Sequence, residues 1–313
     1  MIIKPLHEPE WLCLIPRFQG EHAEKQHFEN LVKGYEGELK FAGLLEEISD
    51  DWLILYDLRL EYRRTIFQID ALLISPKSLH LFEVKNFESD FYIDSGKWFT
   101  INGKEIRDPV LQLNRCEFLL RQLLHEYGFN IPIKGNVVFI NPTFTLYQAP
   151  LDLPIILPTQ LDRLVQQLNR SAKKPGIRDI NLAEKLAGAH LKRSPYDHLP
   201  EYNDSELKKG IYCAACSSFS ISLKSDQITI ICGKCGKEEA ADSAVIRTLK
   251  EFQLLFPEEK VTTNRVYYWC GEIFSKKTVR RVLGRNFVLK GGGGSAHYVD
   301  LRADLSNTGM RGK

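Results

Sequence analysis

Residues 68–87, QIDALLISPKSLHLFEVKNF, read as two apolar runs meeting at the turn Ser75-Pro76-Lys77-Ser78. Asp70, Glu83 and Lys85 interrupt those runs. Charge in a buried strand is costly unless it pairs or holds a metal, so these positions decide how the region is read. A turn centred between Pro76 and Lys77, or a symmetric loop over residues 75–78, pairs residues whose numbers sum to 153. Asp70 then faces Glu83, and Gln68 faces Lys85. The two-residue side-chain period gathers all four on one patch of the sheet.

Two carboxylates side by side repel, and each alone is driven toward its protonated form. A divalent cation removes the conflict. Hard oxygen ligands with open positions suit Mg²⁺ or Mn²⁺, completed by water and substrate phosphate. A lysine beside them can orient a water and stabilise charge building on a phosphate. The set therefore carries what metal-dependent phosphodiester hydrolysis requires. A cross-strand carboxylate–lysine ion pair with a purely structural role is the competing reading.

Working outward, Leu31, Tyr35, Leu39, Ala42 and Leu45 recur at helical spacing and predict a helix from about Leu31 to Ile48. WLILYDLRLEY (52–62) follows as a strand. Asn102-Gly103 marks a hairpin turn. Asp108-Pro109 supplies an N-cap and first-turn proline for a helix through about Leu124. GNVVFINP (135–142) reads as a buried strand and LDRLVQQL (161–168) as a helix. Strands mixed with helices predict an α/β domain, preceded by an N-terminal extension over 1–30.

Gln68-Ile69-Asp70 and Phe82-Glu83-Val84-Lys85-Asn86 resemble the nuclease-related domain (NERD) family of the PD-(D/E)xK, restriction-endonuclease-like group. The surrounding order is similar too: Gly37-Glu38 on the first helix, the hairpin, then a helix opening Asp108-Pro-x-x-Gln112. The resemblance spans about residues 31–170. It implies a central mixed sheet flanked by helices, with Asp70 and Glu83 as metal ligands and Lys85 as the catalytic lysine. Glu38 and Gln112 would be accessory active-site residues, and Gln68 joins them from its place beside Asp70. Ile69 stands where the wider group has proline, a departure usual in this family. Related folds include members that only bind. Without the resemblance, Glu38 reads as a solvated glutamate and Gln112 as an ordinary first-turn residue.

A connector of weak helix and polar loop, including SPYDHLP, follows over 171–205. The chain then changes character. Cys213, Cys216, Cys232 and Cys235 form C-x2-C, fifteen residues, C-x2-C, the spacing of a zinc ribbon. Four thiolates close a tetrahedral structural Zn²⁺ site, which assigns 206–242 to the ribbon. Cys13, Cys116 and Cys270 sit among apolar residues, as buried free cysteines do.

Three short helices fit 243–285, and the third, SKKTVRRVLGR, carries no acid between Ser275 and Arg285. Two helices joined by a short turn, the second basic, resemble a helix-turn-helix. NFVLKGGGGSAHYVDL after them would be a hairpin wing, so 243–301 resembles a winged-helix module and 302–313 a tail. The nucleic-acid contacts would be Lys276, Lys277, Arg280, Arg281, Arg285 and Lys290. A solvated charged helix is the competing reading.

Formal charge is only +2, yet residues 271–313 hold nine Lys/Arg against three Asp/Glu, which favours a polyanion partner. The N-terminus lacks a signal-peptide pattern, and no apolar run approaches the roughly 18 residues of a membrane span. Seven cysteines, four of them in two CxxC pairs, fit a reducing cytoplasm. These features converge on a Mg²⁺- or Mn²⁺-dependent nuclease acting on DNA, with RNA in place of DNA as the other reading. The alternative is a catalytically silent DNA-binding regulator or assembly factor. Oligomeric state stays open, a homodimer included.

Overall fold

The computed structural model describes residues 1–6, 10–18, 22–191 and 202–299. The loop SPYDHLP, the end of the expected wing strand at Asp300 and Leu301, and the tail from 302 lie outside them. Contacts divide the chain into two compact units, Met1–His7 with Gln26–His198, and Glu8–Lys25 with Leu199–Lys313. Among the described residues, no helix is long and apolar enough to cross a membrane.

In the first unit the chain supplies β1 (Ile2–Lys4), then α2 (His22–Leu45), which counts with this unit from Gln26, after a short α1 (Glu10–Leu14) that belongs to the second. The expected helix thus starts earlier than Leu31 and stops three residues sooner. β2 (Leu53–Tyr62), β3 (Thr65–Ile74) and β4 (Leu79–Lys85) follow. Next come β5 (Asp90–Asp94), β6 (Lys97–Thr100), β7 (Glu105–Ile106), α3 (Pro109–Glu126) and β8 (Ile133–Phe139). β9 (Thr145–Tyr147), β10 (Ile155–Ile156), α4 (Leu161–Ser171) and α5 (Ile177–Gly188) complete the unit.

The main sheet has six strands in the order β1-β2-β3-β4-β8-β10. β2, β3 and β4 run antiparallel, whereas β4–β8, β8–β10 and β1–β2 pair in parallel. It is a mixed sheet buried on both faces, which is why its strands are apolar at consecutive positions. Phe41 and Leu45 of α2 and Leu164, Val165 and Leu168 of α4 cover one face. Leu113, Leu120 and Leu124 of α3 and Leu182 and Leu186 of α5 cover the other. A four-stranded sheet, β7-β6-β5-β9, packs Phe91, Ile93 and Trp98 into that second core.

Alternation along β2 and β3 changes phase once. Leu53 and Leu55 enter the α3/α5 core and Ile54 and Tyr56 the α2/α4 core, yet Leu58 and Leu60 return to the α3/α5 side. β3 mirrors this: Ile74 and Leu72 share a core with Ile69 and Phe67, while Leu73 and Ala71 face the other. Strict period-two alternation would have turned Arg59 and Gln68 toward the α3/α5 core. Asp57 and Asp70 are the two residues at the phase change.

The second unit contains the antiparallel ribbon β11 (Ile221–Leu223), β12 (Thr229–Cys232) and β13 (Glu238–Ala240). α6 (Ala241–Leu255), α7 (Thr263–Trp269) and α8 (Lys276–Asn286) follow, then the hairpin β14 (Val288–Lys290) and β15 (His297–Val299). Ser275 caps α8, its hydroxyl accepting the Thr278 N–H at 3.1 Å. An isolated bridge joins Val261 to Tyr298, tying the segment before α7 to the hairpin. Residues after α1 also build into this unit. Arg17, fully buried, pairs with Glu251 at 2.7 Å, donates to the Gly210 carbonyl at 2.9 Å and lies over the Trp269 ring. A buried guanidinium is tolerated because its charge is paired and both terminal NH₂ groups donate, although Nε has no hydrogen-bond partner among the described residues.

Candidate functional site

The hairpin of β3 and β4 keeps the register in which paired numbers sum to 153, from Ile74↔Leu79 to Ala71↔Phe82. There the ladder stops, one step before Asp70 and Glu83. Instead of facing Glu83 in a regular pair, Asp70 sends its carboxylate across the opening fork to accept the Val84 N–H at 2.7 Å. Beyond the fork β4 pairs only with β8, through Lys85↔Phe139. The expected cross-strand pairing of Gln68 with Lys85 is therefore absent. Gln68 and Lys85 approach the same space from strands that have separated.

That space is a cavity of about 730 Å³, and its lining includes Glu38, Gln68, Asp70, Glu83, Lys85 and Gln112. Four elements contribute: α2, β3, β4 and α3. Lys85 Nζ donates to Glu83 Oε1 at 2.7 Å and to Gln112 Oε1 at 3.2 Å. Gln112 reaches it from the first turns of α3, where Asp108 accepts the Val110 N–H at 2.7 Å and Pro109 opens the helix. That cap has the form read from the sequence.

Glu38 is brought in by a close helix–strand approach. A Cβ on Gly37 would lie 2.7 Å from the Asn86 Cβ, and Asn86 Nδ2 donates to the Lys33 carbonyl at 2.7 Å. Asn86 and Lys33, which also line the cavity, were not singled out from the sequence. Asn86 stood inside the quoted stretch, next to the lysine, but nothing local says that a helix fifty residues upstream packs on it.

Electrostatics follow from burial and crowding. Desolvation, then the nearby Glu83 and Glu38 carboxylates, hold Asp70 well above the usual carboxylate range. Desolvation first, with Asp57 and Glu83 next, pushes Glu38 up to about 7. Burial and the Glu83 and Asp70 charges drive the Cys116 thiol to about 12, consistent with an inert cysteine that donates to the Gln68 carbonyl.

A carboxylate group this crowded favours a cation. Among the described residues no three carboxylates bring their oxygens within 4.8 Å of one another; the group of possible ligand atoms that lies so close is the set of four cysteine sulfurs. Mg²⁺ and Mn²⁺ are commonly held by one or two carboxylates with waters completing the shell. Asp70 and Glu83 fit that pattern, not a closed protein cage.

In the second unit the Sγ atoms of Cys213, Cys216, Cys232 and Cys235 all lie within 4.8 Å of one another. Cys213–Cys235 and Cys216–Cys232 are each separated by 3.6 Å. Tetrahedral zinc with Zn–S near 2.3 Å implies sulfur separations of about 3.8 Å, so the quartet could form a zinc site. The Ala215 and Lys234 N–H groups donate to Cys213 and Cys232 sulfurs at 3.4 Å. Backbone N–H groups, that of Cys235 foremost, hold the Cys232 thiol down to about 6.

Lys276, Lys277, Arg280, Arg281 and Arg285 are exposed on α8, and Lys290 is exposed on β14. They are not equivalent. Arg281 makes a two-pronged pair with Asp242 at the start of α6, at 2.6 and 2.9 Å, and Arg285 approaches the same carboxylate at 3.7 Å. Lys276 sits over the Tyr267 ring at 5.2 Å.

Residues 33–140 match the family model described as the nuclease-related domain. The matched stretch holds all six cavity residues named above, and it gives this part of the chain a nuclease-related function. No curated protein and no solved structure matches the chain.

Proposed function

We propose that the chain is a divalent-metal-dependent nuclease, acting on DNA, with its C-terminal half helping to hold the substrate. The observation that carries this reading is the convergence of Glu38, Gln68, Asp70, Glu83, Lys85 and Gln112 on one cavity inside the nuclease-related stretch. Asp70 and Glu83 would hold Mg²⁺ or Mn²⁺. When bound, the ion supplies charge neutralisation at the phosphate and a more acidic water. Lys85, positioned by Gln112, orients the attacking water and stabilises charge on the phosphate oxygens. Glu38, whose carboxyl is pushed up to about 7 in the metal-free site by desolvation and its carboxylate neighbours, would be an accessory group beside the two ligands. In hydrolysis the water oxygen bonds to phosphorus as one ester P–O bond breaks, leaving a phosphate monoester and a hydroxyl.

We assign 31–170 to the restriction-endonuclease-like nuclease domain, 206–242 to a Zn²⁺ ribbon and 243–301 to a winged-helix-like module. Three helices, a terminal hairpin and the Val261–Tyr298 bridge support the last assignment. Lys276, Lys277, Arg280 and Lys290 would meet phosphates, joined by Arg281 and Arg285 once they leave Asp242. Such contacts give sequence-tolerant, salt-sensitive binding. Cysteines without disulfides, four of them at zinc-ribbon spacing, support a reducing compartment such as the cytoplasm.

One observation favours a silent, DNA-binding protein: Lys85 already occupies one oxygen of Glu83. Incubating linear, nicked and single-stranded DNA and RNA with Mg²⁺ or Mn²⁺ separates the two readings. Cutting by the wild type that Lys85→Ala abolishes supports the nuclease. Gel-shift binding with every substrate left uncut supports the silent protein.

A further inference from the structure

Asp57 sits in the middle of β2 with φ +44, a left-handed conformation that a strand does not use. The β2–β3 ladder runs Tyr56↔Ala71 and then Leu58↔Ile69, so the pair omitted is Asp57 with Asp70. This is also where both strands change the face their side chains enter. A non-glycine residue held there is strained, and such strain concentrates at functional positions. Asp is one of the few types that tolerate it.

Each oxygen of the Asp57 carboxylate meets a partner. Its Oδ1 accepts from Gln68 Nε2 at 3.0 Å, and its Oδ2 lies 3.8 Å from the ammonium of Lys4. Lys4 is itself buried on β1 and donates to the Tyr56 carbonyl at 2.8 Å. One charged pair thus ties β1, the kink in β2 and a side chain on β3. Gln68 in turn lines the cavity two residues from Asp70 on the same strand.

An amide has a donor end and an acceptor end. Because the NH₂ end of Gln68 is given to Asp57, the oxygen Oε1 remains for the cavity. Had the amide been reversed, Asp57 would face Gln68 oxygen to oxygen, which no proton bridges while the carboxylate is ionised. We infer that Asp57, backed by Lys4, is a positioning residue that fixes the orientation of the Gln68 amide, making Gln68 an oxygen donor to the metal or to a water on it. This rests on the metal-site reading above. It adds a third oxygen to Asp70 and Glu83, from a residue whose neutrality avoids a further carboxylate in an already crowded site. The kink and the hydrogen bond act together. The kink turns Gln68 away from the α3/α5 core, and the carboxylate sets which end of its amide points outward.

The test is Mn²⁺ binding to the full chain by titration calorimetry, with thermal unfolding of the metal-free protein alongside. Asp57→Gly keeps the left-handed backbone at no steric cost and removes the carboxylate. Losing such a supporting partner typically weakens metal binding about 10- to 100-fold, and a loss in that range is expected here. Gln68→Ala should show the same loss, and Asp57→Gly/Gln68→Ala no greater one. Asp57→Asn, which keeps an acceptor oxygen and tolerates the kink, should restore most of the affinity. Wild-type affinity in Asp57→Gly, or losses that multiply in the double variant, would overturn the inference. Asp70→Ala is run in parallel. If the wild type binds no Mn²⁺, or binds it equally well without Asp70, the metal-site reading itself falls, and this inference with it.

Discussion

Asp70 accepts the backbone N–H of Val84 at 2.7 Å, across the point where β3 and β4 part. One carboxylate therefore does what a ladder carbonyl would otherwise do, and also lines the cavity. Fold and site share an atom group here, so a substitution can separate the two roles.

Asp70→Ala should cost about 1–3 kcal/mol in the metal-free protein, because it leaves a buried N–H without a partner. Asp70→Asn keeps an acceptor oxygen and should stay within about 1 kcal/mol of wild type, while losing cleavage just as fully. Urea unfolding without metal reads the first effect. Equal destabilisation by both variants would show that the Val84 contact is not what matters.

Lys85→Ala leaves Glu83, only 2 % exposed, as a buried charge without its ion-pair partner. A loss of about 3–5 kcal/mol is expected without metal. Adding Glu83→Gln should recover most of that stability and none of the cleavage. Recovery of cutting in the double variant would remove both residues from the chemistry.

Gly37→Ala places a methyl group 2.7 Å from the Asn86 Cβ, so α2 must shift and carry Glu38 with it. Overpacking of this kind costs about 1–3 kcal/mol, and cleavage should fall as well. Gly43→Ala on the same helix meets nothing within 4 Å. It should stabilise by up to about 1 kcal/mol through helix propensity alone. Melting temperatures of the two variants should move in opposite directions.

The Glu38 carboxyl is raised from 4.5 to about 7, mainly by desolvation. The folded state therefore binds more protons than the unfolded one between those values. Its contribution to stability is complete below pH 4.5 and is lost as pH rises through about 7. Metal-free protein should weaken over that window, and Glu38→Gln should flatten the dependence. Unfolding free energies of wild type and Glu38→Gln at pH 5, 6, 7 and 8 provide the measurement, the difference between the two separating Glu38 from the likewise raised Asp70.

The purified chain should contain one zinc per molecule. Cys232→Ser should release it and expose the second unit to proteolysis, since a structural zinc contributes directly to folding. Elemental analysis with limited proteolysis decides the matter. Full zinc content in Cys232→Ser would mean that this thiolate is not a ligand.

Much of the arrangement was legible in the chain because it is local. The Asp108-Pro109 cap, the cysteine spacing and the 75–78 turn each need only neighbouring residues. The turn sets the register as far as Ala71↔Phe82. Extending that register to Asp70 and Glu83 failed, because it assumed an unbroken ladder. The warning was present in LILYDLRL, where a continuous apolar run gives way to alternation at Asp57, but only a sheet buried on both faces makes that break meaningful. The basic helix was likewise visible, and the Asp242 carboxylate that engages Arg281 and Arg285 was not.

Read along the chain alone, the residues show which types stand within reach of one another: two carboxylates and a lysine on one hairpin, four cysteines in two pairs, a capped helix with Gln112 in its first turns. How they meet depends on packing between elements far apart in the chain. Gly37 touches Asn86, Asp57 holds Gln68, and Asp70 bridges a fork in place of Glu83's company. Local spacing is governed by backbone periodicity, which the sequence displays. Long-range contacts are governed by how two buried faces and their helices pack together, and no single stretch of chain contains that information.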